Sequence, residues 1–469
     1  MSEAKPYIQA LFHKYGIPVH ATRTALFEKF AAEEAHQQAV ARIAEIHKML
    51  MDTWRLRSRI ADIVQQPVSI PNGTVGKRYS ARIDFAALGW SDLADWKIGG
   101  LDQTGLQFSN EEKTITGVPV ISGDLHITLQ FRLESEAETE AFHEKKIPLI
   151  INPDPKSLWK TKDSDPDAPY QKEPGVSVSG TLGDRHFVVA SKRGRSHANA
   201  GTFRDDDFAI QHFDNGWSII AVADGAGSAP LSRKGSALAC AAVVGYFSEQ
   251  FTEPVLQEFD AILEQHHLHT GQEETQKKLS HFVYNHLSKA AWSAHQSINE
   301  FAGGINTAPK DFHTTLVFVL FKKYSFGTAF LSFGVGDCPA AILSRDLSEV
   351  TLMNWLDVGE FSGGTRFITM PEIFSSDKFA TRFRFRLMDD FSYLVLMTDG
   401  IYDPKFVVES NLEKTEKWTA FLDDLRGANE EGIQVSFDPA NPDIAVQLSA
   451  WMDFWSPGNH DDRTLAIVY

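Results

Sequence analysis

The chain has 469 residues, 43% of them hydrophobic and 23% charged, with a formal net charge of -17. That length exceeds one ordinary domain, and the acidic balance excludes general attraction to nucleic acid or anionic lipid. Its two cysteines, Cys240 and Cys338, exclude a disulfide framework and a CxxC zinc site. No apolar run approaches the ~18 residues that a bilayer span needs. The first residues, MSEAKPYIQALFHKYG, carry charges where a signal peptide would be continuously apolar. A cytoplasmic protein without nucleic-acid or membrane partners is expected.

In chain order, residues 22–65 hold strong helix formers, no Gly or Pro, and apolar residues at helical spacing, which predicts one long helix or a helical pair within a segment 1–70. Short alternating strands follow over 71–152, clearest in ITGVPVISGDLHITLQFRL at 115–133. This run resembles the strand-turn-strand end of small immunoglobulin-like β-sandwich modules. Residues 153–178 are rich in Pro, Asp and Lys and predict a linker. From 179 to 469, β-rich runs alternate with helical stretches, among them 232–251 and 274–301, which predicts an α+β layered domain.

Several of these strands stop at aspartates. WSIIAVA ends at Asp224 in VADGAGS, VLMT at Asp399 in MTDG, and HDDRT at 460–464 enters the last strand, while RDDDFAI at 204–210 opens an earlier one. A carboxylate at the end of a buried strand needs an ion pair or a metal. Carboxylates converging on one sheet rim repel unless a cation sits among them. An all-oxygen ligand set favours Mg²⁺ or Mn²⁺, and two such ions can orient water for attack on phosphorus. Each motif alone reads equally as a turn or a solvated strand entry.

Taken together, the order acidic pair, VADGAGS with a following S-x-x-G, GVGDCPAAIL, MTDGIYD and DDRT resembles the metal-dependent protein phosphatases of type 2C, particularly their bacterial branch. That resemblance implies a four-layer αββα domain and a serine/threonine phosphatase in which metal-bound water attacks directly. It implies two Mn²⁺ or Mg²⁺ ions bridged by Asp224, assisted by the Gly225 carbonyl and completed by Asp399 and Asp461. Asp207 takes the aspartate of the acidic pair, Asp206 stands in for a glutamate that acts through water, and Asp337 adds a further, weaker ion or serves a turn.

Relatives of this kind carry an arginine five residues before that aspartate, where this chain has Thr202. Arg195 and Arg204 are therefore the candidates for holding phosphate, since guanidinium donates two parallel hydrogen bonds. His197 is the candidate acid for the leaving group, with a solvent-facing loop as the alternative. GEFSGGTRFIT at 359–369 is expected as a mobile loop or an ordinary connection, and the histidines of EQHHLHT at 264–270 as a solvated cap. Phosphoserine and phosphothreonine proteins are the implied partners, with a cognate kinase alongside them, recruited by the N-terminal region. Two rivals stay open: a noncatalytic regulatory protein on the same fold, and a small-molecule phosphohydrolase.

Overall fold

Residues 4–269, 271–357 and 365–469 are described in the computed structural model, and they divide into two units, Met1–Leu158 and Trp159–Tyr469. In the first unit the helix-forming run gives α1 (Ala4–Lys14), α2 (Thr24–Ala32) and α3 (Glu34–Gln65). The last of these is capped by Gln66, immediately before Pro67, where the missing amide and the ring stop a helix. Then come β1 (Gly73–Thr74), β2 (Tyr79–Arg82), β3 (Leu93–Gly99), β4 (Leu106–Ser109), β5 (Thr114–Gly117), β6 (Gly123–Leu133) and β7 (His143–Asn152). They form a four-stranded sheet in the order β1-β7-β6-β3 and a three-stranded sheet β2-β5-β4. The alternation read in 115–133 places Ile127, Leu129, Phe131 and Leu133 inward, and one core joins them to Ile147 and Leu149 of β7, Ile115 of β5 and Ile63 of α3.

The second unit contains β8 (Gly175–Leu182), β9 (Arg185–Lys192), α4 (Arg195–Ala200), β10 (Asp207–His212), β11 (Ser218–Ala223), α5 (Ser232–Gln250), α6 (Glu253–His267) and α7 (Gln272–Gly304). These are followed by β12 (Leu316–Tyr324), β13 (Gly327–Val335), β14 (Ala340–Ser344), β15 (Val350–Leu352), α8 (Glu372–Ser375), β16 (Phe383–Met388) and β17 (Phe391–Met397). The chain closes with α9 (Asp399–Phe406), α10 (Thr415–Leu425), α11 (Ile444–Trp451) and β18 (Arg463–Val468). Two antiparallel sheets result, β10-β11-β12-β13-β16 and β15-β14-β17-β18-β9-β8.

Alternation along these strands explains their unbroken apolar runs. In β11, Ile220 and Val222 join Val317 and Val319 of the same sheet and Val189, Leu396 and Ala466 of the other in one shared core. Ile219 and Ala221 point the opposite way, against Val243 and Phe247 of α5, Phe259 of α6 and Leu287 of α7. On the second sheet Leu465 and Ile467 pack with Phe406, Trp418 and Leu448 of α9, α10 and α11. Both faces of each central strand are thus buried, as in any sheet covered on two sides.

The expected linker is corrected in part. Its last residues belong to β8, which begins at Gly175, and residues from 159 onward are fixed to the second unit. Lys162 N donates to Ala198 O at 2.8 Å, and Arg233 Nη2 to Pro169 O at 2.8 Å. Lys172 Nζ reaches Asp206 O at 2.9 Å and Ser236 Oγ at 3.1 Å. The histidines of EQHHLHT do not form a purely solvated cap, because His267 stacks on Phe326 and His266 lies edge-on to Phe385. The first part of GEFSGGTRFIT, through residue 364, lies outside the described residues.

Candidate active site

Strand ends and one helix start bring five carboxylates together. Asp224 follows β11 directly, and its backbone is clamped: its amide donates to Thr315 Oγ1 at 2.9 Å, and its carbonyl accepts from Thr315 N and Thr314 Oγ1, each at 2.8 Å. Burial, then the charges of Asp399, Asp206, Asp461 and Asp337, push its carboxyl well above the ordinary range. Asp399 opens α9 after Thr398, and burial followed by Asp461, Asp337 and Asp206 raises it in the same way. Asp461 lies just before β18 and is raised by burial and by Asp462.

Asp337 sits in the turn between β13 and β14 and accepts from Thr365 Oγ1 at 2.8 Å, and burial is the first cause of its upward shift. The preceding Gly336 has φ +99° and lies where a Cβ would meet Thr315 Cγ2 at 2.4 Å, so only glycine makes this turn. Gly225 is equally constrained, since a Cβ there would stand 2.6 Å from Asp205 O.

The fifth carboxylate is Asp206, whose Oδ2 accepts from Thr398 Oγ1 at 2.9 Å and Thr464 Oγ1 at 2.7 Å. Burial, then Asp462 and Asp461, raise it to about 7. Asp207, expected among the metal ligands, is turned to the other side, because successive residues of an extended chain alternate. Its Oδ2 pairs with Lys172 Nζ at 3.0 Å. With Asp206 as the acid of the cluster, the position five residues before it is Gly201, again not an arginine.

The other expected residues are placed differently from one another. Arg204 is 3% exposed and spends its guanidinium on Ser191 Oγ and Asp206 O. Arg195 donates to the carbonyls of Phe454, at 3.0 Å, and Asp453, and lies over the Trp455 ring. Neither is free to fork onto a phosphate as expected, because each caps backbone oxygens. His197 stands between two carboxylates: Nδ1 is 3.0 Å from Asp462 Oδ2, an ion-pair distance outside hydrogen-bond alignment, and Nε2 is 3.8 Å from Asp205 Oδ2. Burial opposes its charge, but Asp462, Asp205 and Asp461 outweigh that and raise it to about 9.

Asp462, the second aspartate of HDDRT, expected to tune the local charge rather than to be a ligand, is 2% exposed and organises this corner. One oxygen accepts from Gly194 N at 2.6 Å and the other from Asp205 N. The threonines of MTDG and DDRT stand close in sequence to the expected ligands Asp399 and Asp461, but the carboxylate they hold is Asp206, far away in the chain, and those of HTT hold the equally distant Asp224.

Two carboxylate oxygens, Asp337 Oδ1 and Asp399 Oδ1, are buried without a hydrogen-bond partner among the described residues. Ligand atoms of Asp224, Asp337 and Cys338 lie within 4.8 Å of one another, as do those of His197, Asp461 and Asp462. Orphaned buried oxygens within a set of repelling carboxylates are what a hard divalent cation would satisfy, so the residues present fit such an ion.

A family model described as "Protein phosphatase 2C" matches residues 193–445. The chain belongs to the protein phosphatase 2C family. Among solved structures it is similar to RsbX in complex with magnesium, at 14% identity over 62% of this chain and 98% of that one, TM-score 0.33. It is similar to the serine/threonine phosphatase Stp1 from Staphylococcus aureus, at 11% identity over 62% and 95%, TM-score 0.33. It is also similar to the S. agalactiae serine/threonine phosphatase, at 13% identity over 63% and 99%, TM-score 0.35. No curated protein matches the chain. The 2C match contains Asp206, Asp224, Asp337 and Asp399 and stops short of Asp461, which the second sheet delivers through β18.

Proposed function

We propose that this 2C-family member is a Mn²⁺- or Mg²⁺-dependent phosphatase of phosphoserine and phosphothreonine proteins, on a four-layer αββα domain, acting in the cytoplasm. The observation that carries the reading is the convergence of Asp206, Asp224, Asp337, Asp399 and Asp461, all raised by burial and mutual repulsion. A binding platform gains nothing from five carboxylates that oppose folding. Asp206, Asp224, Asp399 and Asp461, with the Gly225 carbonyl, would hold two ions, and Asp337 a weaker third. Bound there, such ions would supply Lewis acidity and a water of lowered pKa to a phosphate monoester.

The chain's own residues set the ligand geometry. Thr398 and Thr464 orient Asp206, and Thr314 and Thr315 fix the backbone of Asp224. Asp462 ties Gly194 and Asp205 together, with His197 as the counter-charge, so His197 is assigned as a positioning residue. The first unit, read as a helical segment and an immunoglobulin-like module, recruits the phosphoprotein or its kinase. Among the described residues no helix is long and apolar enough to cross a membrane.

Calorimetric titration of chelator-treated protein with Mn²⁺ tests the ligand set apart from turnover. Two sites are expected, with loss of at least one in Asp399→Asn. Equal binding by wild type and Asp399→Asn would refute the assignment.

A further inference from the structure

A groove of about 730 Å³ lies between α7 and β16, lined among others by Lys277, Tyr284, Trp355, Phe383, Arg384 and Arg386. In a chain of net charge -17 its lining carries cations and, among the described residues, no acid. Lys277 is already paired with Glu273 at 2.7 Å, and His281 is exposed at the α7 side. Arg384 and Arg386 are not so paired. Their hydrogen bonds go to the carbonyls of Leu352 and Phe385, each at a marginal 3.4 Å, and among the described residues neither meets a carboxylate within 4.0 Å. Arg384 also lies 4.3 Å over the ring of Trp355, which is 54% exposed. Two unneutralised guanidinium groups beside an exposed indole form a surface for carboxylates with an apolar contact between them.

Hydrogen bonds link the start of β16 to the turn that carries Asp337 of the acidic cluster. Arg382, at the foot of β16, forks onto Asp357 at 2.6 and 2.8 Å, and Asp357 in turn accepts from Gly336 N at 2.9 Å. Asp357 N donates back to Gly336 O at 2.9 Å. These bonds pin the segment carrying Trp355 to the turn carrying Asp337. β16 is also the end strand of its sheet, so its outer edge is paired with no strand among the described residues, and an extended peptide can align on such an edge.

Resting on the phosphatase reading above, we infer that this groove binds an acidic segment of the phosphoprotein substrate, flanking the phosphorylated residue. Carboxylates of that segment meet Arg384 and Arg386 while its phosphoryl group occupies the carboxylate cluster. A peptide is favoured over nucleic acid because the rest of the chain is strongly acidic and would repel a long polyanion.

The test uses the full chain with Mn²⁺ and two phosphoserine peptides that differ only in Glu or Gln at the flanking positions. The aryl substrate p-nitrophenyl phosphate, too small to reach the groove, serves as reference. At low salt, kcat/KM is expected to favour the Glu peptide by roughly three- to tenfold, and the preference fades as salt rises. It falls toward one in Arg384→Ala/Arg386→Ala, survives in Arg384→Lys/Arg386→Lys, and aryl turnover is unchanged in both. A wild-type ratio near one, or an Ala pair that keeps the wild-type ratio, overturns the inference. A protein inactive on every substrate would instead fail the phosphatase reading. The groove is then read from fluorescence anisotropy of the unphosphorylated Glu peptide, whose binding must still weaken in the Ala pair. Displacement of that peptide by a lower concentration of single-stranded oligonucleotide would make the groove a nucleic-acid site and overturn the inference.

Discussion

His197 and its neighbours show how burial decides a residue's role. Held between Asp462 and Asp205 and raised to about 9, the imidazole keeps its proton through the neutral range, which suits a counter-charge better than a donor poised near pH 7. His197→Ala is therefore expected to lower kcat by the same factor on a phosphoserine peptide and on p-nitrophenyl phosphate. A loss confined to the peptide, whose leaving group needs protonation, would restore the acid role. The same corner sets a pH dependence. Burial first raises Asp205 from 3.8 to about 6 and Asp206 from 3.8 to about 7. Between those limits the folded state holds more protons than the unfolded chain, so stability falls as pH rises. His197 acts with the same sign: its contribution is complete below 6.5 and is lost as pH climbs through about 9. In chelator, the thermal midpoint should accordingly decline from about pH 5 to about pH 9, and Mn²⁺ should recover it at the alkaline end. A midpoint that climbs over that range without metal would refute the clustering of these carboxylates.

At the scale of elements, one lysine links the strand β10 to the segment before β8. Lys172 neutralises Asp207 and caps Asp206 O and Ser236 Oγ, joining residues 159–174 to β10 and α5. Lys172→Ala leaves Asp207 half-buried and unpaired, at a cost of roughly 2 kcal/mol, seen as a lower denaturation midpoint. An unchanged midpoint would show that the Lys172 pair adds nothing to the hold on the segment. Much of this architecture could be read in advance. WSIIAVA and TLAIVY are apolar throughout because β11 and β18 are buried on both faces, so the aspartates at their ends stood out. The run from 22 to 65 lacks Gly and Pro and is helical as α2 and α3. What could not be read was parity. Three consecutive aspartates carry no mark of which one faces inward, and only the pairing of Asp207 with Ala223 sets that side. Arg195 and Arg204 misled for a similar reason. A guanidinium suits phosphate and backbone carbonyls equally: Arg195 reaches the carbonyls of Asp453 and Phe454, far away in sequence, while Arg204 turns back onto Asp206 O and Ser191 Oγ. Residues 159–174 look like a linker by composition, yet Pro and Asp also serve a segment held by its carbonyls.

Across the whole molecule, five separated segments must fold before any part of the site exists: β10, β11, the β13–β14 turn, the start of α9 and the entry to β18. The site is therefore a property of the completed second unit, and a cation bound there would stabilise that unit as a whole. The central claim is that these carboxylates make a metal-dependent phosphatase. Phosphate release from a phosphoserine peptide by the full chain, in Mn²⁺ and in chelator, for wild type and Asp224→Asn, tests it most directly. The account predicts turnover by wild type in Mn²⁺, its loss in chelator, and a fall of about 10²-fold or more in Asp224→Asn. Undiminished release in chelator, or full activity of Asp224→Asn in Mn²⁺, would contradict it.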